Sequence, residues 1–244
     1  MAARNEDLIR ELITIKDRSP ESMTDADYDR RNNINQQLFG TVSLHDAFAK
    51  RYPEFCLATV IWMVKYGLID KMANSDSNNQ QIYSSNGRDG GIIRVHPTRQ
   101  KLAQCLSDAN WDENGIYLYF DGHSNIIWLD PSDSEGGPSI YRYDPQISSH
   151  APEAGSIDSA LRDFFAIILP HYTYYGNTLP KEECIQHVRR QVRGHLDCFC
   201  QEYTLLYAFR RLQGMSHQAA CDDLVKNINR IHEIIADLYR QLAI

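Results

Sequence analysis

Long apolar runs are missing from this 244-residue chain. The longest, Phe55 to Val64, falls short of the ~18 residues a membrane-spanning helix needs, so no membrane partner is expected. An excess of basic charge is missing too. Lys and Arg number 25 against 32 Asp and Glu, a net charge of −7. Coating of nucleic acid relies on a positive surface and is therefore not expected. Cysteine is sparse: Cys56, Cys105, Cys184, Cys198, Cys200 and Cys221 are all there are. That is no disulfide-scaffold density, and reduced thiols are expected. The first residues, MAARNEDLIREL, are charged and patterned like a helix rather than a signal peptide, which points to a cytoplasmic protein. No dinucleotide fingerprint, P-loop or kinase set occurs, and GRDGG at 87–91 lacks the lysine and helix of a phosphate loop. Nucleotide chemistry and cofactors are not expected.

What is present reads as ordinary globular protein, with 43% hydrophobic and 23% charged residues. Leu8, Ile9, Leu12, Ile13 and Ile15 predict a helix over residues 5–18. A polar helix follows from Thr24 to Leu38, with Thr24 or Asp25 as its cap. Residues 43–72 predict two helices broken before Pro53, the second apolar nearly all round and hence buried. The polar stretch 73–91 predicts a loop or hairpin, 92–95 a short strand and 97–109 a helix. The middle changes character: 115–120, 125–130 and 139–144 are rich in aromatic and β-branched residues and predict an antiparallel meander. A loop over 146–156, an amphipathic helix over 157–169 and a short strand at 172–175 follow.

From about Cys200 the chain reads as helical to its end. A last helix starts near Ser216, with apolar residues at Ala220, Leu224, Ile228, Ile231, Ile235, Leu238 and Leu242. That seven-residue repeat suits packing on the chain's own domain, or a seam for a partner or a second copy over residues 216–244. The whole predicts an α+β fold: a mostly helical region over 1–110, then a core over 111–244 with a small central antiparallel sheet and flanking C-terminal helices.

The chemistry concentrates in HLDCFCQEYTLLYAFRRL, residues 195–212. Cys200 stands where a polar segment gives way to a helix with an apolar face. Unpaired amides at a helix start carry partial positive charge and favour a thiolate. A thiolate nucleophile needs a base and a group to orient that base. His123 lies at a strand entrance, and Asp144 closes the third strand of the same meander. Asp130 competes as the acid, but it ends the strand that begins near His123 and at ~3.3 Å per residue stands too far away. Gln186 and Gln191, 14 and 9 residues before Cys200, are both available to an oxyanion.

The order His, Asp, Gln, Cys resembles the adenain and SUMO-deconjugating class of cysteine peptidases, in particular its divergent members in large DNA viruses. The similarity rests on His123-Ser124-Asn125-Ile126-Ile127, Arg142-Tyr143-Asp144-Pro145, Cys184-Ile185-Gln186 and Cys200-Gln201-Glu202-Tyr203-Thr204-Leu205. It spans residues 115–225. The Tyr-Thr-Leu register after Cys200 favours Cys200 as nucleophile; Asp197-Cys198 is the other register, with Phe199 where that branch usually has Gly. Tyr203 stands where viral members often carry Trp, and no Trp follows His123. The resemblance implies a papain-like architecture and a thiol hydrolase cleaving peptide or isopeptide bonds. Cys200 attacks, His123 shuttles the proton, Asp144 orients His123, and Gln186 with the Cys200 amide holds the oxyanion. It implies a protein substrate, either a viral precursor or a ubiquitin-like conjugate, and a location in host cytoplasm or virion. The alternative is a capsid or core component that keeps the fold without activity.

Zinc is the chemical rival, through Cys184-x-x-His187, Cys198-x-Cys200 and His195. Cys-x-Cys is tighter than the usual finger spacing, and no metal is expected. Arg189, Arg190 and Arg193 form a basic cluster suited to an acidic substrate or to the chain's own carboxylates. Tyr172, Tyr174 and Tyr175 suit strand packing better than a substrate groove.

Overall fold

The computed structural model describes residues 2–51, 58–62, 116–120, 123–130, 137–146, 158, 162, 165–166, 169–177, 179–180 and 183–244. The protein is mixed α+β, as its sequence pattern predicts. It divides into two compact units, Met1–Tyr52 with Glu182–Ile244 and Pro53–Lys181. The boundary expected at 110/111 falls inside the second unit, and the C-terminal helices share the first unit with the N-terminal ones. The predicted elements at 73–91, 92–95 and 97–109 and most of the 146–156 loop lie outside the described residues.

The first unit is helical. Helix α1 (Ala2–Lys16) buries Leu8, Ile9, Leu12 and Ile15 along one stripe. Helix α2 (Asp25–Phe39) starts at a full capping box: Thr24 accepts from the Asp27 amide, and Asp27 accepts from the Thr24 amide. It stops at Gly40, whose φ of +70° suits a residue without Cβ. Helix α3 (Leu44–Arg51) adds Leu44, Ala47 and Phe48 to the core. Helix α4 (Ile185–Arg193) buries Ile185, Gln186 and Arg189. Helix α5 (Cys200–Leu212) is the most enclosed, buried without a break from Glu202 to Ala208.

The expected long terminal helix is two helices, α6 (His217–Lys226) and α7 (Ile231–Leu242), joined by a 3-10 turn over Ile228–Arg230. Ser216 caps the start, accepting from the Ala219 amide at 3.2 Å. Asn227 ends α6, turning its side-chain amide onto Asp223. Ala220, Leu224, Ile231, Ile235, Leu238 and Leu242 are all buried, so the apolar repeat is covered by the chain's own unit. Helix α7 packs on α1, α2 and α3, and α5 packs on α3 and α6.

Charge is buried with the apolar core. Lys16 ends α1 and is 4% exposed; Glu202 on α5 is 1% exposed, and the two form an ion pair. Tyr239 of α7 donates its hydroxyl to the same Glu202 oxygen at 2.5 Å. Burial, then the charge of Glu202, pushes the Tyr239 phenol well above its ordinary range and keeps it a donor. One cluster thus ties α1, α5 and α7 together.

The second unit holds a five-stranded sheet in the order β1 (Ala58–Trp62), β2 (Ile116–Phe120), β3 (His123–Asp130), β4 (Ser139–Tyr143), β5 (Thr173–Gly176). The meander β2–β3–β4 is antiparallel as expected, whereas both outer pairs, β1 with β2 and β4 with β5, are parallel. Strand β1 overturns part of the expected apolar helix over 54–72. Its Thr59-Val60-Ile61 run is β-branched and favours extended backbone, and pairing with β2 decides between readings that apolarity alone leaves equal. Strand β3 is buried from Ser124 to Leu129, on both of its faces. Asp158, Arg162, Phe165 and Ala166 are helical, within the helix predicted over 157–169.

Arg142 on β4, 3% exposed, anchors this unit. It grips Asp158 in a two-pronged pair at 2.9 and 2.8 Å and reaches Asn125 at 2.6 Å and Asp144 at 3.0 Å. Burial opposes its charge, but Asp158 and Asp144 outweigh burial and raise its pKa further. Tyr174, stacked on Phe165, donates to Asp158 at 2.7 Å. Gly176 sits beside that carboxylate at φ +69°, where an added Cβ would stand 2.9 Å from Asp158 Oδ1.

Lys16→Met strands the Glu202 carboxylate and should lower unfolding free energy by about 3–5 kcal/mol in urea titrations, with most of the loss recovered in Lys16→Met/Glu202→Leu. Equal losses in the single and double variants would refute that account. Gly176→Ala must both strain the backbone and displace Asp158, and should cost roughly 1–3 kcal/mol by the same measurement.

Candidate active site

The four described cysteines, Cys184, Cys198, Cys200 and Cys221, are thiols, none joined to another. They differ sharply in setting. Cys184 precedes α4 and Cys221 lies on α6, and both are buried. Burial, and then the nearby Cys184 thiol, pushes Cys221 far above an ordinary cysteine. Cys198 is half-buried. Its amide donates to Lys16 O at 2.8 Å and its thiol contacts Arg18 O at 3.7 Å. Burial pushes its pKa up to about 11, opposed by Lys16 and reinforced by Cys200 and Asp197. Cys200 is half-buried and is the first residue of α5. Phe199, the cap residue before it, makes no side-chain cap hydrogen bond.

The turn carrying these thiols is held by Asp197, 4% exposed. Asp197 accepts from Arg189 Nε at 2.8 Å, the Tyr203 hydroxyl at 2.7 Å, Gln186 Nε2 at 3.0 Å and the Phe199 amide at 3.2 Å. Gln186 Nε2 also donates to the Asp197 carbonyl at 3.1 Å. The Gln186 amide therefore fastens α4 to the turn that leads into Cys200. Gln191 is exposed, its amide 3.1 Å from the His187 ring. Arg189 extends the network to Asp17 at 2.5 Å and to His232 at 3.0 Å, and Arg193 also pairs with Asp17.

His123 opens β3, its backbone opposite Phe120 of β2; its side chain lies outside the described structure. Asp144 follows β4 directly and is 8% exposed. Its carboxylate accepts from Arg142 and from the Gln146 amide at 2.9 Å. The β3–β4 register pairs Ile126 with Tyr143, and one step outward sets Asp144 against Asn125, two residues from His123. Asp130 ends β3, roughly 23 Å along the strand from His123. Cys200 and Gln186 belong to the first unit, His123 and Asp144 to the second.

Among the described residues, no group of three or more His, Cys, Asp or Glu side chains is placed to hold a metal ion. No helix among them is long and apolar enough to cross a membrane. Of the basic cluster, Arg189 is buried against Asp197 and Asp17, whereas Arg190 and Arg193 are exposed. Arg211 is buried, and Arg210 pairs with Asp223 at 2.8 Å. Tyr174 packs inside the sheet unit, while exposed Tyr175 stacks on Tyr141. Sequence reasoning noticed Asp197 only as the neighbour of Cys198 and missed Asp17 and His232. Asp17 lies 172 positions from Arg189, and no local spacing reveals such a pairing.

Neither the models of known protein families nor the curated proteins compared with the sequence match it. The burial of Cys198 has a direct consequence. A raised pKa leaves less thiolate at a given pH, so iodoacetamide should label Cys198 slowly at neutral pH and faster only as pH climbs toward about 11. Peptide mapping of labelled sites across pH measures this, and fast labelling of Cys198 at pH 7 would contradict it.

Proposed function

We propose that the protein is a thiol-dependent hydrolase of peptide or isopeptide bonds, with Cys200 as nucleophile. The observation that carries the reading is the position of Cys200. It is a half-buried residue at the first position of α5, on a turn fixed by Asp197. Amides in that position stabilise a thiolate. Cys184 and Cys221 are sealed in the core, and Cys198 is held protonated by burial.

In the mechanism that the sequence resemblance implies, the Cys200 sulfur attacks the substrate carbonyl, and His123 passes the thiol proton to the leaving amine as the C–N bond breaks. Water then hydrolyses the thioester, with His123 taking a proton from it. Asp144 orients His123, and its own carboxylate is steadied by Arg142 and the Gln146 amide. The Cys200 backbone amide holds the oxyanion, and Gln186 serves it by fixing the turn. Substrates of this chemistry are precursor proteins or ubiquitin-like conjugates, as the sequence resemblance implies.

The test is alkylation of Cys200 against pH in wild type and His123→Ala. Labelling of Cys200 well below pH 8, slowed at least tenfold by His123→Ala, is the expected result. Cys200→Ala should abolish hydrolysis of a fluorogenic peptide panel with little change in melting temperature. An ordinary thiol profile indifferent to His123 overturns the proposal and leaves the reading of an inactive structural component.

A further inference from the structure

Cys198 and Cys200 flank a single residue, and the backbone of that residue sets how near they stand. Phe199 has φ −94° and ψ 15°. With trans peptides spacing successive Cα atoms at ~3.8 Å, those angles put the Cys198 and Cys200 Cα atoms about 5.4 Å apart. Extended backbone would separate them by about 7 Å. Disulfides span Cα separations of ~4.4–6.8 Å, so the bend at Phe199 brings the pair into range. Both cysteines are half-buried at the surface of the unit, while the Phe199 ring between them is fully buried and pins the bend. Each thiol is also within electrostatic reach of the other. By contrast Cys184 and Cys221 are sealed from any solvent-borne oxidant.

We infer that Cys198 and Cys200 form a reversible intrachain disulfide, with a low-molecular-weight disulfide of the oxidised-glutathione type as oxidant. The Cys200 thiolate at the start of α5 attacks one sulfur of the oxidant, forming a mixed disulfide and releasing one thiolate. Cys198 then gives its proton to solvent and attacks the Cys200 sulfur, expelling the second thiolate. Two protein thiols are oxidised, and one small disulfide is reduced to two thiols. Attack by Cys198 is the slower step, because burial keeps that thiol protonated at neutral pH. The oxidised form withdraws Cys200 from nucleophilic chemistry and is restored by excess dithiol. The inference does not depend on hydrolytic activity, since it concerns sulfur exchange alone.

Trypsin isolates the pair. Cleavage after Arg193 and Arg210 gives peptide 194–210, which contains Cys198 and Cys200 and no other cysteine. The full chain, reduced and then held in glutathione redox buffer at neutral pH, is quenched by alkylation, digested and weighed. The expected wild-type peptide has lost two hydrogens, resists alkylation, and regains both thiols after dithiothreitol. Cys198→Ser should leave Cys200 trapped as its glutathione adduct, and Cys200→Ser should cut glutathione uptake in the peptide at least tenfold. A wild-type peptide recovered with both cysteines alkylated, with a lasting glutathione adduct, or cross-linked to another cysteine overturns the inference. The wild-type measurement alone decides and needs no variant to fold.

Discussion

Asp197 and Glu202 bracket the start of α5, and both are almost sealed from water, at 4% and 1% exposure. A carboxylate withdrawn from water is tolerated only where a cation and hydrogen-bond donors meet it inside the fold. That requirement ties the start of α5 to three other helices. Glu202 draws Lys16 from the end of α1 and Tyr239 from α7. Asp197 draws Arg189 and Gln186 from α4 and Tyr203 from α5 itself. The apolar stripes bring these helices together, but stripes slide, and charged partners at fixed distances do not. The second unit meets the same constraint with the sign reversed, where a buried guanidinium, Arg142, gathers Asp144, Asp158 and Asn125. In each unit the segment under functional suspicion, the Cys200 turn or the end of β4, is fastened by such a buried charge.

What the sequence makes legible is what local chemistry fixes. Thr24 and Asp27 announce the start of α2 because a capping box is complete within four residues. The alternating aromatic and β-branched stretches announce β2, β3 and β4 because extended backbone suits those side chains. The helix beginning at Cys200 shows in the apolar face of Leu205 and Leu206, both buried. Illegible features depend on distant partners. Residues 58–62 are apolar enough for a buried helix or a buried strand, and only pairing with β2 makes them β1. The terminal repeat reads as one helix because its apolar spacing continues through residue 228, whereas the break is set by Asn227, which turns back on Asp223.

The candidate site divides along the same line. The position of Cys200 at a helix start is local, and it is visible in the sequence. The duty of Gln186 is not. A side-chain amide some way before a nucleophilic cysteine suggests an oxyanion donor, yet this amide nitrogen faces the Asp197 carbonyl and carboxylate at 3.1 and 3.0 Å. Both contacts serve the turn, and the geometry makes Gln186 a brace for the residues leading into α5. Arg189, one helical turn further along α4, meets the same carboxylate from its own position. An i and i+3 pair converging on one acid needs the helix to be formed and seated first, which no count along the chain reveals.

The two thiols of the turn show how finely a fold divides chemical character. Cys198 and Cys200 are separated by one residue, but they lie on opposite sides of the point where helical hydrogen bonding begins. Cys198 lies before it, beside the Asp197 carboxylate and partly desolvated, and both influences favour the protonated thiol. Cys200 lies at the first helical position, where the amides of the first turn begin. Asp197 therefore acts twice. By taking up the Phe199 amide it fixes where α5 begins, and its charge adds to the burial that raises the pKa of Cys198. The difference between the two positions thus rests first on burial, and then on where α5 begins, which Asp197 fixes through the Phe199 amide.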